Sequence, residues 1–348
     1  MLTDDTLREG MQAPGISFSV KEKKHLAQKI ADCGIEKILI SYPPAHQSEW
    51  EIARYVSSRN IFREVYGLGR SIIKDIDNIH SAGCHLSLHF PFKYESLDEV
   101  FEAVKYAVSL DPLTEVAVVD ITQYSINELM TIVKKLSDLK VGTIQLPDTM
   151  GKARPKLIGN IVREAKRISN SRIEIHCHND QGFSIANAVS GIEAGADSID
   201  TTFLGIGERN GITDTLSISH YLVECGLMDK ASLDRIRDLS IEFLDIIIGK
   251  AGENFFLNNV PNIGKNIMTH TAGTHAAFSR VFEGENFSVN VYTGRSMVKR
   301  ILSGFNINIG DDDLTGLIER LKNLSAEEGR VIKTAEILEE AQKYVQSN

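Results

Sequence analysis

The chain has 348 residues, of which 42% are hydrophobic and 24% are charged, and its formal net charge is −9. This composition is ordinary for a globular protein with a large core, and the length allows one large domain plus a small one. The acidic balance argues against nucleic-acid binding, because a phosphate backbone is bound by a basic surface.

Membrane and secreted classes are also disfavoured by the sequence. No apolar run reaches the length that spans a bilayer, and no signal peptide follows the acidic N-terminal residues. Cys33, Cys84, Cys177 and Cys225 lie far apart without paired spacing, which is typical of reduced thiols rather than of a disulfide framework. We therefore predict a cytoplasmic protein with no membrane partner and no nucleic-acid partner.

One local pattern recurs along the first two thirds of the chain: a short β-rich run, a polar turn and an amphipathic helix. The predicted strand and helix pairs are, in chain order, Leu2–Leu7 with Val20–Cys33, Glu36–Ser41 with Gln47–Ser58, Phe62–Leu68 with Ile72–Ala82, Cys84–Phe90 with Leu97–Ser109, Glu115–Ile121 with Ile126–Leu136, Val141–Leu146 with Pro155–Ile168, Ile173–Cys177 with Phe183–Ala194, and Ser198–Phe203 with Thr213–Cys225.

Strands that alternate with crossover helices form a parallel sheet. Eight such units predict an α/β fold of the closed (β/α)8 TIM-barrel type, and an open doubly wound sheet is the alternative. We favour the barrel because nearly every polar cluster follows a strand, where the loops of a barrel converge on one mouth.

The pattern changes after the eighth unit. Ser232–Lys250 is predicted to be an additional helix, and Asp311–Gln346 to contain two charged amphipathic helices. We therefore predict a barrel domain over residues 1–260 and a C-terminal, mainly helical subdomain over residues 261–348.

Two histidines end the seventh predicted strand. Residues i and i+2 of a strand point to the same face, so His176 and His178 project side by side while Cys177 points the other way. Two imidazoles at the end of a strand provide half of a metal site, which needs a third ligand from elsewhere. The alternative is a pair of hydrogen-bonded histidines packed in the core.

The first predicted strand leads into Arg8 and Glu9, at the rim of the same mouth. Glu9 can supply the third ligand, because one carboxylate and two imidazoles suit Zn, Mn, Mg or Co. Arg8 is a fixed cation that can hold an oxygen on which negative charge develops. The alternative for this Arg-Glu pair is an ion pair on the surface.

Four segments together resemble the DRE-TIM metallolyase family, which includes homocitrate synthase, 2-isopropylmalate synthase and hydroxymethylglutaryl-CoA lyase. The segments are DTLREGMQ at residues 5–12, PDTMG at 147–151, HCHND at 176–180 and GIGERNGIT at 205–213. They occur in the family's order, and the last is most similar to homocitrate synthases.

This resemblance implies a TIM barrel with one divalent metal, Glu9, His176 and His178 as the metal ligands, and Arg8 as the catalytic arginine. It implies a Claisen-type condensation of acetyl-CoA with a small 2-oxo acid, followed by hydrolysis of the thioester. The family's sharing of C-terminal segments between subunits implies a homodimer.

The resemblance also implies roles for residues around the metal. Thr149 is expected to bind the carboxylate of the 2-oxo acid, and Gln12 to support the site. His275 lies in a segment similar to one that supplies a catalytic base in the synthases; the alternative is a loop histidine bonded to the backbone. His89, on the fourth strand, either shapes the substrate pocket or is a satisfied core histidine.

The chain departs from homocitrate synthases after the fifth strand. Gln123 stands where a catalytic glutamate is expected, and the arginine that would bind the far carboxylate of 2-oxoglutarate is missing from 118–124. Without that guanidinium a dicarboxylic substrate loses its bidentate partner. Two rivals therefore stay open: a metal-dependent C–C lyase or aldolase, and a non-catalytic relative.

Overall fold

The barrel predicted from the sequence is present. The computed structural model describes residues 1–91, 97–259, 269–270, 286–287 and 289–345. Eight parallel strands close into a barrel in sequential order, and the eighth pairs with the first in the register Thr3 to Asp200. The predicted (β/α)8 fold is confirmed, and the open doubly wound sheet is excluded.

Each barrel strand is three to seven residues long and nearly all strand residues are buried. The strands are β1 Leu2–Asp4, β2 Lys37–Ser41, β3 Glu64–Arg70, β4 His85–Phe90, β5 Glu115–Val118, β6 Thr143–Asp148, β7 Arg172–Cys177 and β8 Ser198–Thr201. The helices of the outer ring are α1 Val20–Asp32, α2 Gln47–Ser57, α3 Ile73–Ser81, α4 Leu97–Leu110, α5 Ile126–Asp138, α6 Pro155–Ile168, α7 Ser184–Glu193 and α8 Thr215–Glu224. Among the described residues, none of these or later helices is both long and apolar enough to span a bilayer.

Three strands, β1, β5 and β8, end earlier than predicted, and all three ends lie at the barrel mouth. After β1 the amide N–H groups of Arg8 and Glu9 donate to the carbonyl oxygen of Asp5, which turns the chain into a short 3-10 helix at Glu9–Gln12. After β5 the backbone of Asp120 takes a left-handed conformation with φ +50°, so the predicted strand cannot continue to Ile121. The turns that replace these strand ends carry side chains of the site.

Charged side chains fill the middle of the barrel, although apolar residues dominate most barrels of this kind. The Lys37 ammonium donates to Glu115 Oε2 at 2.5 Å and to Glu174 Oε2 at 2.7 Å, and all three side chains are buried. Burial and the neighbouring Glu174 raise the pKa of Glu115. Burial opposes ionisation of Glu174 too, but the Lys37 ammonium outweighs it and lowers the Glu174 pKa.

Removing the ammonium from this cluster should be strongly destabilising. Lys37→Met keeps the length of the side chain but leaves the Glu174 carboxylate buried without its counter-ion, so we expect the free energy of unfolding to fall by about 3–5 kcal/mol. Urea unfolding measures this change, with Lys134→Met as the control, because Lys134 pairs with Asp138 on the exposed face of α5. A loss below about 1 kcal/mol for Lys37→Met would contradict this account of the cluster.

The C-terminal region is mainly helical, as predicted. Helices Arg295–Gly304, Asp311–Glu328 and Thr334–Val345 follow the long helix Lys230–Ala251, and the described residues from Val289 onward share a small apolar core of their own. The first of these three helices was missed by the sequence reasoning, because its basic residues interrupt a short apolar pattern. The predicted domain boundary at residue 260 falls outside the described residues and stays a prediction.

The C-terminal region contacts the first units of the barrel through buried polar groups. The Tyr292 hydroxyl donates to Glu49 Oε2 on α2 at 2.8 Å, and the Lys23 ammonium on α1 binds Glu49 Oε1 at 2.7 Å. Asn290 donates from Nδ2 to the carbonyl oxygen of Met11 at 2.5 Å. These bonds hold Tyr292 at the barrel mouth.

Candidate metal centre in the barrel mouth

A cavity of about 250 Å³ opens at the carboxyl ends of the strands. Most of the side chains that the sequence analysis assigned to a site lie around it. The predicted residues that line this cavity are Arg8, Glu9, Gln12, His89, Thr149, His176 and His178. A carboxylate, two imidazoles and a guanidinium from distant parts of the chain therefore share one cavity.

Two predicted residues are not part of this set. Gln123 lies in the short 3-10 helix Ile121–Gln123, and its side chain is exposed to solvent rather than among the residues that line the cavity. His275 lies outside the described residues. The catalytic roles expected for both residues stay predictions.

Arg8 is held rigidly by carboxylates on either side. Its Nε donates to Asp5 Oδ1 at 2.9 Å and a terminal nitrogen contacts Asp5 Oδ2, while the other terminal nitrogen donates to Glu9 Oε2 at 2.6 Å. Asp5 is fully buried and Arg8 nearly so. This planar, bidentate pairing fixes the guanidinium at the rim of the cavity, where it requires no reorganisation during a reaction.

The two histidines converge on the cavity through their outer nitrogens. His176 Nε2 lies 3.2 Å from His178 Nε2, and both side chains are buried. Ligand atoms about 2.0–2.1 Å from one ion are about 2.9–3.4 Å apart in octahedral or tetrahedral geometry. This spacing suits two ligands of a single ion, and it also allows an N–H···N hydrogen bond between the two imidazoles, which is the alternative raised by the sequence.

The loop after β8 folds back and positions Glu9. The backbone N–H of Glu208 donates to Glu9 Oε1 at 2.9 Å, and a Cβ at Gly207 would lie 2.9 Å from that same oxygen. Gly211 has φ +77°, and a Cβ there would lie 1.7 Å from the carbonyl oxygen of Gly205. The two glycines thus permit the close approach of loop and carboxylate.

A second group of residues could also hold a cation. Asp5, His176 and Asp200 offer ligand atoms within 4.8 Å of one another. Asp5 and Asp200 do not line the cavity, however. The side chains that line the cavity include one carboxylate and two imidazoles, Glu9, His176 and His178, which are ligand types that suit a divalent cation.

The carboxylates around this centre favour a cation electrostatically. Burial raises the pKa of Asp5 well above its usual value, raises that of Glu9, and raises that of Asp4 to about 7. The Arg8 guanidinium opposes this rise at Asp5 and Glu9 without cancelling it. A divalent cation would stabilise the ionised carboxylates that burial disfavours.

Arg209 connects three of the loops at the mouth and had no assigned role in the sequence reasoning. It binds Asp180 through two N–H groups at 2.7 and 2.8 Å, and it donates to the carbonyl oxygen of Thr149 at 2.7 Å. The Thr149 hydroxyl oxygen accepts the backbone N–H of Asp120 at 2.9 Å, which leaves its own proton to donate. Thr149 is therefore held as a donor at the cavity wall.

Two further residues, one beneath the cavity and one in its lining, were not predicted from the sequence. Asp200 on β8 accepts from His176 Nδ1 at 2.7 Å, and Gln145 on β6 lines the cavity. Both stand at inward positions of their strands, two residues after the buried Ser198 and Thr143. A polar residue at every second position of these strands was the signal that could have identified them.

Comparison with known proteins places the chain in a family. A family model described as HMGL-like matches residues 1–242. A probable 2-isopropylmalate synthase of Methanopyrus kandleri is 26% identical over 348 residues, which cover 92% of this chain and 69% of the relative. A homocitrate synthase of Pyrococcus abyssi is 28% identical over 351 residues, which cover 93% of this chain and 95% of the relative.

A solved structure supports the fold alone. The HMG-CoA lyase of Bacillus subtilis superimposes with a TM-score of 0.64 at 15% identity, over 74% of this chain and 97% of the lyase. The names of the relatives confirm the prediction of an enzyme of the acyltransferase class, and the family-model match confirms the predicted resemblance. The chain, with its HMGL-like match over residues 1–242 and its closed eight-stranded barrel, belongs to the HMGL-like family.

Proposed function

We propose that this chain condenses acetyl-CoA with a small 2-oxo acid in the barrel mouth, where Glu9, His176 and His178 hold a divalent cation. The strongest support is that these three side chains and Arg8 line one cavity, although they come from opposite ends of the barrel sequence. The names of the relatives agree with this chemistry. 2-Isopropylmalate and homocitrate both carry an alcohol and a carboxylate on one carbon, as results when a carbon nucleophile adds to the ketone of a 2-oxo acid.

The residues of the site have complementary roles in such an addition. A bound divalent cation would supply Lewis-acid stabilisation of the ketone oxygen. Asp5 and Glu9 hold the Arg8 guanidinium at the cavity, where its charge would stabilise the oxygen on which negative charge grows. The Thr149 hydroxyl donates to the carboxylate of the 2-oxo acid. The amide of Gln123 is not basic enough to abstract the methyl proton of acetyl-CoA. We therefore assign this proton abstraction to His275.

Other residues that line the cavity support the proposal of a substrate tail without charge. Leu68 and Val119 contribute apolar surface to it. Burial and the nearby Arg8 lower the pKa of His89 to about 3, so its imidazole is neutral at pH 7. The Arg70 guanidinium is engaged by Asp75 through bonds of 2.8 and 2.9 Å. We therefore propose a monocarboxylic 2-oxo acid, since a second carboxylate would lack a bidentate partner.

A thiol-release assay tests this function. Protein stripped with chelator is supplied with Mg²⁺, Mn²⁺, Zn²⁺ or Co²⁺, and free CoA is measured with acetyl-CoA and pyruvate, 2-oxobutyrate, 2-oxoisovalerate or 2-oxoglutarate. We expect cation-dependent release with at least one of the first three acids. We expect kcat/KM to be at least about tenfold lower with 2-oxoglutarate than with the best of the first three acids. An unpaired carboxylate should cost at least about 1.4 kcal/mol, which corresponds to a factor of ten.

One result of that assay would overturn the proposed condensation, and another would overturn only the proposed substrate class. If no 2-oxo acid stimulates thiol release, the chain does not catalyse the proposed condensation. Cation-dependent cleavage of a 3-hydroxyacyl-CoA, measured separately, would then support a lyase. A preference for 2-oxoglutarate would leave the condensation standing but would contradict the uncharged tail.

A further inference from the structure

His176 is contacted from two sides, and only one of them faces the cavity. Its Nε2 lies 3.2 Å from His178 Nε2 at the cavity, and its Nδ1 lies 2.7 Å from Asp200 Oδ2 beneath it. A neutral imidazole carries one N–H, so a carboxylate that accepts from Nδ1 leaves the lone pair on Nε2. The contact with Asp200 thus selects the tautomer that can bind an ion from the cavity.

Asp200 is in turn fixed by a chain of buried hydrogen bonds. Gln145 Nε2 donates to Asp200 Oδ2 at 3.3 Å and to Glu174 Oε1 at 2.9 Å. Glu174 Oε2 accepts from Thr3, Ser198 and Lys37 at 2.5 to 2.7 Å. The charged cluster in the middle of the barrel therefore extends, through one amide, to the carboxylate beneath His176.

The position of Asp200 favours this role over direct ligation. The 2.7 Å between His176 Nδ1 and Asp200 Oδ2 is a hydrogen-bond distance, shorter than the spacing of about 2.9–3.4 Å between two ligands of one ion. Asp200 is completely buried and does not line the cavity. Its Oδ1 has no hydrogen-bond partner among the described residues, so the carboxylate is held through Oδ2 alone.

We propose that Asp200 is a positioning residue, which accepts the Nδ1–H of His176 and so presents Nε2 to the cation, and that Gln145 holds Asp200 in place. This inference rests on the proposed function for the identity of the metal centre. Burying charged groups costs free energy, and this inference gives the charged cluster in the barrel a function: it helps to orient a metal ligand of the site above it.

The test uses two readouts on the full chain. Affinity for Mn²⁺ is measured by the loss of the free-ion EPR signal, and the His176 tautomer of the metal-free protein is measured by ¹⁵N NMR, assigned with His176→Gln. In Asp200→Leu the acceptor is lost, and we expect Mn²⁺ affinity to fall about 10- to 100-fold. We also expect the Nδ1–H tautomer of His176 to give way to Nε2–H or to a mixture.

Asp200→Asn and Ser240→Ala complete the design. The asparagine keeps the volume and an acceptor oxygen but removes the charge, so it should restore much of both readouts and should fold if the leucine variant does not. Ser240 is buried on the helix Lys230–Ala251 and donates to the carbonyl oxygen of Ile236 at 2.7 Å, outside the charged cluster, so Ser240→Ala should leave both readouts unchanged.

The two readouts separate the possible failures. An unchanged tautomer in Asp200→Leu, or in Asp200→Ala if the leucine variant does not fold, would overturn the positioning role. A loss of Mn²⁺ affinity with an unchanged tautomer would instead identify Asp200 as a ligand. If the wild-type protein binds no Mn²⁺, the proposed function fails, but the tautomer still decides whether Asp200 controls His176.

Discussion

Replacing His178 with alanine is expected to abolish the reaction by removing a proposed metal ligand. Loss of a residue that merely orients a ligand costs about 10- to 100-fold in metal affinity, so loss of the ligand itself should cost at least about 100-fold. We expect kcat/KM for 2-oxo-acid-dependent thiol release to fall by about three orders of magnitude or more at fixed metal concentration. Calorimetric metal titration and the thiol assay measure the two effects.

The matched control is His80→Ala, which removes an exposed histidine of α3 far from the mouth. It should bind metal and turn over like the wild-type protein. If the metal affinity of His178→Ala is within about threefold of wild type, His178 is not a ligand. Even the loss of a residue that only orients a ligand should lower the affinity by more than this.

Replacing Arg8 with lysine is the second change with a large expected effect. Lysine keeps the charge but loses the planar fork that Asp5 and Glu9 hold at the rim. We expect kcat to fall about 10²- to 10³-fold, as for other preorganised donors to a developing oxyanion, while KM for the 2-oxo acid changes less.

A structural role for Arg8 would give a different result. Loss of packing alone would lower the free energy of unfolding and weaken metal binding along with activity. Arg237→Lys, at an exposed ion pair with Asp234 on the helix Lys230–Ala251, serves as the conservative control and should have no effect. Wild-type kcat in a folded Arg8→Lys protein would contradict a catalytic role for the guanidinium.

The sequence predicted the fold well because the patterns of its β-strands and of its amphipathic helices are both strong. Alternation of strands with amphipathic helices determines a parallel sheet, and eight units with polar residues after the strands determine a barrel. The spacing of His176 and His178 predicted that both face the same way at the end of the seventh strand, and the structure, in which β7 ends at Cys177, brings them to the same cavity as Glu9. Local sequence patterns were therefore sufficient to identify the residues at the centre of the candidate site.

The parts that were missed depend on contacts between distant strands. The pairing of Asp200 with His176 joins β8 to β7, and the bond from Gln145 to Glu174 joins β6 to β7, so neither follows from spacing along the chain. The left-handed backbone at Asp120 ended β5 early, which local propensity does not reveal. Gln123 consequently lies on an exposed turn rather than at the cavity.

The most direct test of the metal centre is the anomalous scattering of Mn²⁺ in crystals soaked with the cation and pyruvate. The proposal predicts one strong peak in the barrel mouth, within about 2.0–2.4 Å of Glu9, His176 Nε2 and His178 Nε2, with Arg8 beside the bound acid. A peak between Asp5 and Asp200, or no peak in the cavity at saturating Mn²⁺, would contradict it.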